Sequence, residues 1–173
     1  MTEPLLAFLN ARTIRAQVQA ADWRAAIARA GDLLVEDSAV EPRYIEAMQA
    51  TVEEHGAYVV IAPGIALPHA RPEDGVIRPA LSLVTLAEPV AFGHADNDPV
   101  DVVLAFGAVD KAAHVRALQE LARLLGDDDA VAGIRAARTD EELLDAIHGT
   151  SADSRSAGNE STDNDDSPDG LGR

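Results

Sequence analysis

YVVIAPGIALPHARPEDGV, residues 58–76, is the stretch on which the reading of this chain turns. Tyr58–Ala62 is apolar and rich in β-branched residues, the composition of a buried strand. The chain then meets two prolines on either side of a histidine. Pro68 fixes its own φ and pushes Leu67 into an extended shape, and Pro72 does the same to Arg71. His69 is therefore held on a stiff, nonhelical segment just beyond a strand, and Gly64 lets another backbone come close. A side chain on such a rim is preorganised, as a nucleophile must be, and rigid scaffolds carry their function on loops of this kind. The plainer reading is a surface histidine in a proline-rich turn.

Working outward, helices and strands alternate. Thr13–Gln19 alternates apolar and polar residues and reads as a strand. Asp22 is placed to cap a helix in which Trp23, Ala26, Ile27, Ala30, Leu33 and Leu34 recur at helical spacing. A second helix runs from about Pro42 to Gly56, a good terminator. Ala80–Leu86 and Val100–Phe106 are further strands. Asp110 caps a long helix that Gly126 ends, a short helix follows from about Asp127 to Arg138, and Thr139 with Glu142 forms a capping box for a last one. The spacing is not a regular βαβ repeat. The expected fold is α/β: one domain over residues 1–150, with a mixed β-sheet flanked by helices. Residues 151–173 are Ser, Asp, Gly and Asn with almost nothing to bury, and are expected to form a disordered acidic tail.

Composition narrows the function. At 173 residues the chain can bury a real core, and with aromatics at 3% that core must be aliphatic. There are no cysteines, which removes disulfides, thiol catalysis and cysteine-bound metals. No apolar run is long enough to span a bilayer, and the N-terminus lacks the pattern of a signal peptide. The cytoplasm is the expected location. The net charge is −16, and six acids against two bases in residues 151–173 leave −12 on residues 1–150. So acidic a body argues against nucleic acid and anionic membrane as partners, and for partners that are basic at the contact, or small.

Five histidines remain as candidates for chemistry. His55 and His148 fall at expected helix ends, where a cation suits the dipole, and read as structural. His114 lies in the first turn after Asp110, among amides that welcome an anion. Its helical partners Leu118, Leu121 and Leu125 make a core-rim histidine the competing reading. His94, in FGHADNDPV with Asp96 and Asp98, is either a weak metal signal or a turn closed by its own Asp and Asn side chains. A metal-binding module built on His69, His94 and His114 has no ligand pair at helical i, i+3 or i+4 spacing to support it.

At GIALPHARPEDGV the sequence resembles the enzyme IIA domains of the mannitol–fructose class in the bacterial phosphoenolpyruvate-dependent sugar phosphotransferase system. Nearly all of residues 1–150 takes part in the resemblance. EPRY, APGIALPHARPEDGV and GHADNDPVD look most like the ascorbate-type branch. The resemblance implies that His69, in the PHA stretch, accepts a phosphoryl group from the phosphocarrier protein HPr. The group then passes to an enzyme IIB, and through that protein the membrane enzyme IIC is an implied partner. The resemblance also implies that His114 supports the phosphohistidine. Sugar-type relatives carry an arginine late in the helix placed here at 42–55; this chain has Glu53 and Glu54 there, and Arg71 is the natural substitute. No cofactor and no metal are implied, because phosphoryl transfer between histidines needs an in-line nucleophile and stabilised oxygens. A regulatory module that only reports its phosphorylation state is the alternative, and the missing DNA-binding region or output domain favours transport.

Overall fold

Two long apolar strands set the architecture in the computed structural model, which describes residues 4–156. They are β4 (Ala80–Val90) and β5 (Val100–Gly107), antiparallel neighbours with Leu83 opposite Leu104 and Val84 opposite Val103. β1 (Ile14–Val18) lies parallel to β4 at one side. On the other side β3 (Ile65–Ala66) lies parallel to β5 and pairs with β2 (Val60–Ala62) in an antiparallel hairpin. The order β1-β4-β5-β3-β2 makes the mixed five-stranded sheet that the irregular spacing of the elements predicts.

Burial on both faces explains why β4 and β5 read as near-continuous apolar runs. Alternate side chains serve two cores. Leu81, Leu83, Val102, Leu104 and Phe106 face α3 (Lys111–Leu125), α4 (Asp128–Ala136) and α5 (Asp140–Ser156), while Val84, Val103 and Ala105 face α1 (Trp23–Glu36) and α2 (Arg43–His55). Leu104 is fully buried, so cutting it to alanine would cost about 2–5 kcal/mol.

Caps fix the helix starts. Asp22 accepts from the Ala25 amide, Asp110 from Ala113, and Asp127 from Asp129 and Ala130. Thr139 accepts from the Glu142 amide at 3.1 Å, but Glu142 reaches back one residue further than a capping box does, to the Arg138 amide at 2.7 Å. Gly56 ends α2 at φ 80°, a conformation that other residues adopt only with strain.

The structure departs from expectation in three places. The buried strand expected at Tyr58–Ala62 is a three-residue edge strand with Ile61 50% exposed, and its hairpin partner β3 is a strand the sequence did not announce. A sharp turn at Pro63 and Gly64 (φ 75°) separates the two, so the edge lies at β2 and the burial at β3. α5 does not stop at His148 but runs to Ser156, into the stretch expected as tail; residues 157–173 lie outside the described residues.

Candidate active site

The β3 strand delivers the chain directly to His69. Its hairpin is pinned from below: Arg135 on α4 pairs with the Asp101 carboxylate at 3.1 Å and donates to the Pro63 carbonyl at 2.6 Å. A Cβ on Gly64 would lie 2.6 Å from the Arg135 guanidinium and 2.7 Å from the Asp101 carboxylate, so any other residue must push this pair aside. Beyond β3, the Phe106 amide donates to the Pro68 carbonyl at 3.3 Å. Tyr44, buried in α2, donates its hydroxyl to the Phe106 carbonyl at 2.7 Å and accepts from the Ala70 amide at 3.0 Å. Burial pushes the Tyr44 phenol up to about 12, so it stays protonated and keeps both bonds. The residue after His69 and the strand beside it are thereby locked to one helix.

His69 itself is fixed by one bond and one ring. Its Nδ1 donates to the Leu67 carbonyl at 2.8 Å, which puts the ring proton on Nδ1 and leaves the Nε2 lone pair free. The ring stacks on Phe106, centroids 4.7 Å apart and planes at 28°. Burial holds the His69 pKa below the ordinary 6.5; the Leu67 bond works the other way, and the neighbouring His114 adds to the lowering. At neutral pH the group is an uncharged imidazole with one available lone pair.

The His114 ring lies 5.1 Å from that of His69, held in the first turn of α3 by the Asp110 cap. It also touches Phe106, with centroids 5.5 Å apart. Both rings line an open cleft of about 700 Å³ between the C-terminal half of α2, the loop after β3 and the start of α3. Arg71 lines it too, on the 3₁₀ turn Pro72–Asp74, where the Asp74 carboxylate accepts from the Arg71 amide at 3.0 Å. No ion pair ties the Arg71 guanidinium among the described residues. Three of the expected residues, His69, His114 and Arg71, therefore meet in one place.

His94 does not join them. Its Nδ1 accepts from the amides of Asp96 and Asn97 at 3.2 and 3.1 Å, and Asp98 accepts from the amides of Phe92, Gly93 and His94. This is the turn closed by its own side chains. Among the described residues no three His, Asp or Glu side chains form a metal cluster.

Sequence reasoning missed several lining residues. His55, read as structural, lies in the cleft, and so do Tyr58 and Lys111. A signal existed in their scarcity: Lys111 is the chain's sole lysine, and Tyr44 and Tyr58 are its two tyrosines.

Together these features define a class. A neutral, backbone-oriented imidazole with a free Nε2, set in an open cleft beside a second histidine at a helix N-terminus, suits a protein that takes up and releases a phosphoryl group on histidine. Residues 7–149 match the family described as phosphoenolpyruvate-dependent sugar phosphotransferase system, EIIA 2, and the chain belongs to that family. It is a phosphocarrier of sugar uptake, a phosphotransferase that works through a phosphohistidine.

The chain is similar to the ascorbate-specific PTS system EIIA component of Escherichia coli K12, 44% identical over 142 residues covering 82% of this chain and 92% of that one. The Salmonella typhimurium LT2 component of the same description is 45% identical over 141 residues, covering 81% and 92%. Among solved structures, the mannitol-specific cryptic phosphotransferase enzyme IIA CmtB of E. coli superimposes with a TM-score of 0.75 at 30% identity, covering 84% of this chain and 98% of that one. The E. coli complex of the mannitol enzyme IIA with phosphorylated enzyme IIB gives a TM-score of 0.70 at 26% identity, covering 82% and 97%. The fold and the resemblance read from the sequence are borne out. Proteins of this family interact with enzyme IIB. No helix among the described residues is long and apolar enough to cross a membrane.

Proposed function

We propose that Nε2 of His69 accepts a phosphoryl group from phospho-HPr and passes it to an enzyme IIB at the cytoplasmic side of an uptake system for ascorbate or a related acid sugar. The observation that carries this reading is the Nδ1 bond to the Leu67 carbonyl, which leaves Nε2 as the nitrogen with a free lone pair on a ring that lines the cleft. The Nε2 lone pair forms the new N–P bond as the N–P bond to the donor's imidazole breaks, and the donor ring leaves with that electron pair. The Nδ1 proton stays on the ring throughout, donated to the Leu67 carbonyl. Transfer to enzyme IIB runs the same step in reverse at His69.

The rest of the cleft serves the charge on the phosphoryl oxygens. His114 offers an N–H from the α3 side, and the guanidinium of Arg71, which has no ion pair among the described residues, offers a cation from the loop side. The acid sugar is supported by the similarity to ascorbate-specific relatives. Incubation with enzyme I, HPr and phosphoenolpyruvate should add one acid-labile phosphate per chain, and His69→Ala should add none. Full labelling of His69→Ala would overturn the assignment. Coupling to enzyme IIB and IIC partners in vesicles, with ascorbate against mannitol as the sugar, tests the substrate.

A further inference from the structure

Around His69 stands a third side chain that the reading above does not use. Tyr58 sits in the link between α2 and β2 and lines the same cleft. Its ring meets that of His69 nearly edge-on, with centroids 6.3 Å apart and planes at 82°, and meets His55 in the same way at 6.3 Å and 78°. Nearly half of the residue, 48%, remains exposed.

The two tyrosines of the chain are used differently. The Tyr44 hydroxyl is consumed by the backbone behind His69, one bond given and one taken. The Tyr58 hydroxyl has no hydrogen-bond partner among the described residues, and partial burial raises its pKa above the ordinary 10, so it remains a donor at any physiological pH. A tyrosine kept only for packing would turn its ring inward. This one presents a free O–H in a cleft whose ligand is an anion.

Need and position agree. A phosphoryl group in flight spreads its charge over three equatorial oxygens, and the imidazole of His114 on the α3 side and the guanidinium of Arg71 on the loop side leave room for a third donor. The late turns of α2, which form the opposite wall, bring Glu54 and His55 into the cleft, with His55 Nε2 3.9 Å from the Glu54 carboxylate. Tyr58, in the link that follows α2, adds a neutral hydroxyl on that side. We propose that the Tyr58 hydroxyl donates a hydrogen bond to a phosphoryl oxygen during transfer at His69, opposite the N–H of His114. This rests on His69 being the acceptor.

Tyr58→Phe keeps the ring and its edge contacts and removes only the oxygen. With saturating phospho-HPr, single-turnover phosphorylation of Tyr58→Phe should be slower by about 10- to 100-fold, the worth of one hydrogen bond to a charged group. Labelling should still reach one phosphate per chain, the ³¹P resonance of the phosphohistidine should move, and the melting temperature should not. A parent-like rate overturns the proposal. So does a defect that disappears at saturating HPr, which would make Tyr58 a docking residue. Tyr58→Leu separates ring from hydroxyl: if Leu is slow and Phe is normal, packing is what counts and the proposal falls. Parallel labelling of His69→Ala reports on the underlying reading by itself, since a phosphate there would sink the acceptor assignment whatever Tyr58 does.

Discussion

The segments 62–76 and 91–99 make a controlled comparison inside one molecule. Each carries a histidine and a proline beside a sheet strand, and each has a glycine at positive φ, 75° at Gly64 and 95° at Gly93. In each the histidine uses Nδ1 on the backbone. The direction of that bond is what differs. At His69 a carbonyl receives the ring proton, so Nε2 keeps its lone pair; at His94 two amides give to Nδ1, so the neutral ring must carry its proton on Nε2. One ring is left a nucleophile and the other is spent closing a turn. The backbone chooses the tautomer, and the tautomer chooses the chemistry.

The largest expected effect tests that contrast directly. His69→Ala should abolish phosphorylation, and His94→Ala should be labelled in full at the parental rate. His94→Ala should lose stability instead, by about 0.5–1.5 kcal/mol, because two half-exposed amides exchange a ring acceptor for water. A radiolabel assay and a denaturant melt separate the two outcomes. Loss of labelling in His94→Ala would end the contrast.

Next in size is His114. As a donor to the phosphoryl oxygens its replacement by alanine should slow exchange with phospho-HPr by on the order of 10²–10³, about 2.7–4 kcal/mol. The melting temperature should hardly change, because the ring lies in an open cleft rather than in the core. A variant with parental exchange and a collapsed melting temperature would return His114 to a structural role at the rim of the α3 core.

The glycines sharpen the comparison on stability. Gly93→Ala meets no atom within 4 Å and should cost only the left-handed backbone penalty, roughly 1–2 kcal/mol. Gly64→Ala carries that penalty and also drives into the Arg135–Asp101 pair, so it should cost clearly more and slow phosphorylation by shifting the chain into His69. Equal losses in chemical denaturation would mean that the pair yields freely.

How far the sequence foretold this depends on the length of the signal. β4, β5 and the helices were legible because their apolar periods run for many residues and Asp22, Asp110 and Asp127 mark where helices begin. His69 stood out because Pro68 and Pro72 constrain the backbone locally, whereas His114 was singled out from a core-rim histidine by the family resemblance. The β2–β3 hairpin was not, since a two-residue strand shows no period and its placement rests on the distant Asp101 and Arg135. Phe106 read only as a strand residue; that it carries the His69 ring follows from the β3–β5 pairing and the Tyr44 bonds, which are tertiary. His55 is the helix end it was read as, and its place in the cleft is tertiary; Tyr58 was read as a strand residue because the sheet edge begins two residues later than the apolar run.

The smallest effect comes from protons alone. Burial, with the Leu67 bond opposing and His114 adding, keeps the folded-state pKa of His69 below the 6.5 of an unperturbed histidine. Between those two values the unfolded chain binds a proton that the folded chain refuses, so His69 contributes a slope in which stability rises with pH. Above about 6.5 the ring is neutral in both states and the slope from this group vanishes. His69→Gln removes that slope and nothing else that titrates at this position. The melting temperature of the parent, relative to His69→Gln, should therefore be level from pH 8 to pH 7 and fall as the pH drops towards 5. Phosphorylation should follow the same proton: since the neutral ring is the nucleophile, its rate should be flat near neutrality and decline only below the ordinary histidine range. His94→Ala should leave the position of that decline where it is. A decline centred above 6.5, or one that moves with His94, would mean that the neutral Nε2 of His69 is not what limits transfer.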